Sequence, residues 1–230
     1  MNRLDLRSES GFTLIELMVA TMIGLIVSGA TLAIVIVSVE FSSNYSDRVD
    51  ATQQGTIAMT KVTQALNSSC VSAALAPILP ASDANDVWFY SMLGDSPTIQ
   101  PNKVEISLAN GQLVMNTYTF ASGTSPATWT FSPTPTPTSG FTLLPHAAQV
   151  GSTPVFQYYG YGSSGMLSTT AYTLNTTLGS NAATTAEIAI SFQANPSDNW
   201  TALGRPASFS DAVVLRLSPA SSSNADLPCS

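Results

Sequence analysis

A chain of 230 residues with only 9% charged side chains, against about a quarter in ordinary globular proteins, either avoids bulk water over part of its length or is rich in Ser and Thr. This one does both. Seven Lys and Arg against 14 Asp and Glu give a net charge of −7, which argues against direct binding of nucleic acid. A single histidine, His146, and two cysteines, Cys70 and Cys229, are too few for a four-ligand zinc site and leave little for nucleophile–imidazole chemistry. No catalytic residue, metal ligand or cofactor is expected.

Between Phe12 and Val39 the only charged residue is Glu16. As a helix this 28-residue run extends about 42 Å, more than the roughly 30 Å hydrocarbon core of a bilayer. It is also about twice as long as the apolar region of a cleaved secretory signal. A simple signal anchor is the plain alternative, and Glu16 stands against it. A carboxylate inside an apolar segment costs several kcal/mol unless paired, so its presence there reads as functional. Arg3 and Arg7 precede the run and only Arg48 follows within 20 residues, which predicts a cytoplasmic N-terminus and an external remainder.

The segment Gly11-Phe12-Thr13-Leu14-Ile15-Glu16-Leu17 resembles the cleavage and methylation signature of type IV prepilins and type II secretion pseudopilins. The resemblance implies cleavage by prepilin peptidase between Gly11 and Phe12 and N-methylation of Phe12. It also implies that Glu16, then the fifth residue, pairs with the N-terminal amine of a neighbouring subunit and sets axial register. Pairing the amine with the carboxylate offsets part of the cost of placing each in lipid. The leader departs from the usual basic pattern, since Asp5 and Glu9 balance Arg3 and Arg7.

Beyond Val39, Phe41, Tyr45, Val49, Thr52, Met59, Val62 and Leu66 recur at mostly helical spacing, and no proline occurs before Pro77. One continuous helix from Phe12 to about Leu66 is expected, its later half packed on a globular domain. Gly24, Ser28 and Gly29 are weak helix formers that serve either bending or close packing. The rest reads as β. Candidate strands are Asp86–Ser91, Lys103–Ala109, Gln112–Phe120 across an Asn110-Gly111 turn, Trp129–Phe131, Phe141–Leu144, Pro154–Tyr159, Glu187–Ala194 and Asp211–Leu217. Exposed loops are expected over Ser132–Gly140 and Gly160–Thr185.

The expected fold is α+β, a long N-terminal helix on an antiparallel sheet. Its parts are a cytoplasmic leader over 1–11, a transmembrane or filament-core helix over 12–39, an amphipathic continuation over 40–66 and an extracytoplasmic β-rich domain over 67–230. The order Gln53-Gln54-Gly55, Ala58-Met59, Val87-Trp88-Phe89-Tyr90, Asn110-Gly111, Pro154 to Tyr159 and Val213 to Leu217 is similar to that of W-type minor pilins and J-type pseudopilins. The apolar run lacks proline, which favours a minor role. The resemblance implies as partners prepilin peptidase, other pilin or pseudopilin subunits, an inner-membrane assembly platform and, before assembly, the lipid bilayer. A membrane-anchored adhesin that never polymerises is the alternative.

Cys70 follows the helix and Cys229 is the penultimate residue, so a disulfide in an oxidising compartment would fasten both ends of the β domain. Two unrelated thiols are the competing reading. Asp83, Asn85, Asp86, Asp198 and Asn199 offer oxygen ligands but no calcium-loop pattern, and read as turns. Trp88, Trp129 and Trp200 suit either a sugar-binding surface or ordinary strand packing.

Overall fold

The computed structural model describes residues 11–70, 75–91, 101–124, 126–138, 140–174, 176–196 and 206–215. A single helix, α1 (Leu14–Asn67), runs from the apolar segment into the β-rich part. The chain divides into two compact units, one ending at Ser46 and one beginning at Asp47.

In the first unit α1 is largely apolar, and no described residue covers it. Leu14 is 78% exposed and Leu25 75%. The helix is long and apolar enough to cross a membrane, and its most apolar stretch is not buried at all. An exposed apolar surface of this extent is unfavourable in water and calls for lipid or other subunits. The hydroxyls of Thr21 and Thr31 are already satisfied within the helix, donating to the carbonyls of Met18 at 2.9 Å and Val27 at 2.8 Å. That removes two polar groups that lipid could not hydrogen-bond.

In the second unit the buried face of α1 differs from the expected one. Met59, Val62 and Leu66 are buried as expected, but Val49 is 37% exposed, Thr52 is exposed and, further back along the helix, so are Phe41 and Tyr45. The stripe toward the sheets is instead Ala51, Gly55, Ala58, Met59, Val62, Ala65 and Leu66. Its spacing is helical, but its first members are small. The reason is close approach: a side chain on Gly55 would run into the Phe209 ring. Overpacking of this kind typically costs about 1–3 kcal/mol. Gly55→Val is therefore expected to lower the midpoint of chemical unfolding, whereas Val on the exposed Gln54 should change it little; urea melts of the two variants decide this.

Ten strands follow. β1 (Asp86–Ser91), β2 (Asn102–Ala109), β3 (Gln112–Tyr118) and β6 (Phe141–Leu144) form one antiparallel sheet in the order β1-β2-β3-β6. Asn110 at φ 51° and Gly111 at φ 73° make the two-residue β2–β3 turn, both left-handed as a type I′ turn requires. The expected strand to Phe120 ends at Tyr118, and Phe120 begins β4 (Phe120–Ser122), which pairs with β5 (Thr130–Phe131). The second main sheet centres on β9 (Thr185–Ala194). On one side β9 takes β10 (Ala207–Val214); on the other it takes β7 (Ala147–Ala148) and β8 (Phe156–Gly160).

One continuous core joins α1 to both sheets, with Val62, Phe89, Ile106, Phe156, Tyr158 and Phe192 fully buried in it. The Gly160–Thr185 segment is not simply an exposed loop. Leu178 and Ala182 enter the core around a short 3-10 turn, Gly179–Thr184. The structure is thus the expected α+β arrangement of a long N-terminal helix packed with an antiparallel β domain.

Candidate assembly site at the start of the helix

Gly11, Phe12 and Thr13 precede α1, so the Gly11–Phe12 peptide lies before the first helical hydrogen bond. Open space surrounds the position a side chain on Gly11 would take, and Phe12 is 77% exposed. Thr13 closes the helix start. Its carbonyl accepts from the N–H of Leu17 at 3.2 Å, and its Oγ1 accepts from the N–H of Glu16 at 3.4 Å. This is one half of the reciprocal Ser/Thr-x-x-Glu capping arrangement. The reading of the sequence missed this role for Thr13, although the spacing of Thr13 and Glu16 carries its signal.

The other half is not made. Glu16 is exposed in the first turn of α1, and among the described residues its carboxylate accepts no hydrogen bond. An acidic group suits the positive end of the helix dipole, whereas an amine released at Phe12 does not. Such an amine gains by meeting a carboxylate. Among the described residues, the arrangement thus leaves Phe12 exposed before the helix and the Glu16 carboxylate without a hydrogen-bond partner one turn along.

The other residues singled out in the sequence form no metal-ligating site among the described residues. Asp83 Oδ1 accepts from the N–H groups of Asn85 at 2.7 Å and Asp86 at 2.8 Å, so this acidic segment is the turn that leads into β1. Tyr158 pins it, its buried hydroxyl donating to the carbonyls of Asp83 at 2.8 Å and Asp86 at 3.0 Å. Among the described residues no group of three metal-ligating side chains occurs; Asp198, Asn199 and Trp200 lie outside them. Trp88 stacks on Tyr118 at 5.7 Å with Lys103 Nζ 4.8 Å from the Trp88 ring, and Trp129 meets Tyr90 edge-on at 5.3 Å. These rings pack on one another and on the lysine rather than framing a cleft. Cys70 is buried beside Leu75, Tyr90 and Trp129, and no free cysteine occurs among the described residues. Cys229 lies outside them.

The Asp83–Asp86 turn carries a pH dependence. Burial, then the charges of Asp83 and Glu105, push the Asp86 carboxyl up to about 6 from 3.8. A carboxyl raised by folding favours the protonated fold, so its penalty is absent below about pH 4, grows through the interval and is complete above about pH 6. Asp86→Asn should be the more stable protein at pH 7, its advantage shrinking as the pH falls from 6 to 4. Thermal melts of both across that range test this.

No curated protein matches the sequence. Residues 6–32, which contain Gly11, Phe12, Thr13 and Glu16, match the family model of the prokaryotic N-terminal methylation motif. Together with a helix long and apolar enough to cross a membrane, this match over the N-terminal residues supports a type IV pilin- or pseudopilin-like reading of the chain.

Proposed function

We propose that the chain is a minor pilin or pseudopilin, a structural subunit of a type IV pilus or type II secretion-like filament. Prepilin peptidase cuts after Gly11, Phe12 is N-methylated, and Glu16 of one subunit pairs with the Phe12 amine of the next. Residues 1–11 are the cytoplasmic leader. Residues 12–39 are held in the inner membrane by the lipid bilayer and then, drawn out through the assembly platform, become filament core. Residues 40–66 continue the helix and 67–230 form the external domain. The observation that carries this reading is the coincidence of three features on one short segment. They are the methylation motif, an exposed Phe12 before the helix, and a Glu16 with no partner among the described residues, on an apolar helix that they leave uncovered.

Affinity of the element order to W-type minor pilins and J-type pseudopilins, with a proline-free apolar run, favours a minor rather than a major subunit. Cys70 and Cys229, the only cysteines of the chain, are proposed to pair in the exported domain.

Replacing Gly11 with a bulky residue tests the central step. In cells with active prepilin peptidase, Gly11→Trp should accumulate at the mass of the unprocessed chain, stay in the membrane fraction and be absent from sheared surface filaments. Its presence there in wild-type amounts would contradict the proposal, and a processed wild-type chain that never leaves the membrane would favour an anchored adhesin.

A further inference from the structure

In the sheet built on β9, β10 is a terminal strand: β9 takes one edge, and no strand among the described residues takes the other. The same strand touches α1 at two places. Phe209 lies against Gly55, and Thr63 Oγ1 donates to Asp211 Oδ2 at 3.3 Å. Between them runs a groove of about 630 Å³ lined by Thr56, Met59, Thr60, Thr63, Phe209 and Asp211, among others. The hydroxyls of Thr56 and Thr60 are used inside the helix, each donating to the carbonyl four residues back at 2.8 Å. Their methyl groups, with Met59 and Phe209, make the apolar part of the lining, and Thr63, Gln64, Asn67 and Asp211 its polar part. An unpaired strand edge supplies main-chain hydrogen bonds to an added strand, and a groove alongside it receives alternate side chains.

We infer that this groove receives an extended segment of a neighbouring filament subunit, which adds to the free edge of β10, places an apolar side chain over Met59 and Phe209, and sets a Lys or Arg opposite Asp211. The inference rests on the filament reading above and names a contact of the external domain. Charge selects the occupant. Asp211 is the only ionisable residue lining the groove; it is exposed, and its carboxylate is held by Thr63 and by the N–H of Ala212 at 2.8 Å, with no cation beside it among the described residues. A second copy's β10 does not satisfy it, because Ala207–Val214 contains no Lys or Arg and would bring in another aspartate. A Lys- or Arg-bearing strand of a different subunit does satisfy it.

The test places the photoreactive residue p-benzoylphenylalanine at Thr60 in the full chain, in cells that assemble filaments. A second probe at Val27 in the apolar helix reports subunit neighbours independently. The Thr60 probe should capture a Lys- or Arg-bearing segment of another subunit that carries the methylation motif. Asp211→Lys should cut that yield about tenfold, since a like charge at a contact is strongly disfavoured. It should leave capture at Val27 unchanged, and Asp211→Asn should cut the yield less. With Val27 still reporting neighbours, capture at Thr60 confined to residues 216–230 of the same chain, to β10 of a second copy, or to nothing overturns the inference. An Asp211→Lys yield equal to wild type overturns it too. Loss of capture at both positions removes the filament reading, and this inference with it.

Discussion

Glu16→Gln is expected to abolish incorporation into filaments while leaving processing at Gly11 and the fold of the β domain intact. The substitution keeps size and polarity but removes the charge. In the filament core the Phe12 amine of the neighbouring subunit then has no anion in an apolar setting. Removing one partner of a buried pair costs about 3–5 kcal/mol, and each 1.4 kcal/mol is about a factor of ten, so incorporation should fall by roughly two orders of magnitude or more. The β domain should be indifferent, because Glu16 belongs to the unit ending at Ser46 and every residue of the core cluster belongs to the other. Quantitative blotting of sheared filaments against total membrane protein measures the first effect. Thermal unfolding of the detergent-extracted protein measures the second. Incorporation at wild-type level would remove Glu16 from the assembly mechanism.

The second large effect concerns the cysteines. Cys70 sits one bend beyond α1, its N–H donating to the carbonyl of Tyr90 at 2.7 Å, so it is fixed against the edge of β1. A bridge to Cys229 closes a loop of nearly the whole β domain and in the chain-entropy picture contributes about 5 kcal/mol, an upper figure. For a domain of this size each kcal/mol moves the midpoint by about 2–4 °C. Cys229→Ser should therefore lower the midpoint by roughly 10 °C or more, and reduction of the wild type should do the same. Thiol titration of unreduced, unfolded protein should find none. Two free thiols in protein taken from the cell exterior would contradict the pairing.

Much of the fold was legible in the residues because it is governed by local signals. The Asn110-Gly111 turn fixed the β2–β3 hairpin, since only residues tolerant of positive φ fit its two central positions. Asp86–Ser91 and Phe141–Leu144 were read with their observed bounds. The failures share one cause, dependence on distant partners. The buried stripe of α1 differs at its start because Ala51, Gly55 and Ala58 carry no strong apolar signal, and at Gly55 a side chain would strike the Phe209 ring. Phe41 and Tyr45 look like core residues by spacing but lie outside the unit that contains the core. β7, two alanines long, exists only because β9 offers Ala194 and Gln193 as partners. The early start of β10 at Ala207 is likewise set by its ladder with β9.

The candidate site was legible in a different way. Gly11, Phe12 and Glu16 stand out through one short pattern and one misplaced charge. What the sequence reading passed over was Thr13, whose capping role depends on the helix beginning at Leu14 rather than at Phe12. The Thr13 cap starts the helix after the Gly11–Phe12 peptide.

The most direct measurement is the mass of the N-terminal peptide of the chain extracted from membranes and from sheared filaments of cells with active prepilin peptidase. The account predicts a terminus at Phe12 carrying one N-methyl group, in both fractions. A chain that still begins at Met1, or one cut elsewhere than between Gly11 and Phe12, would contradict it.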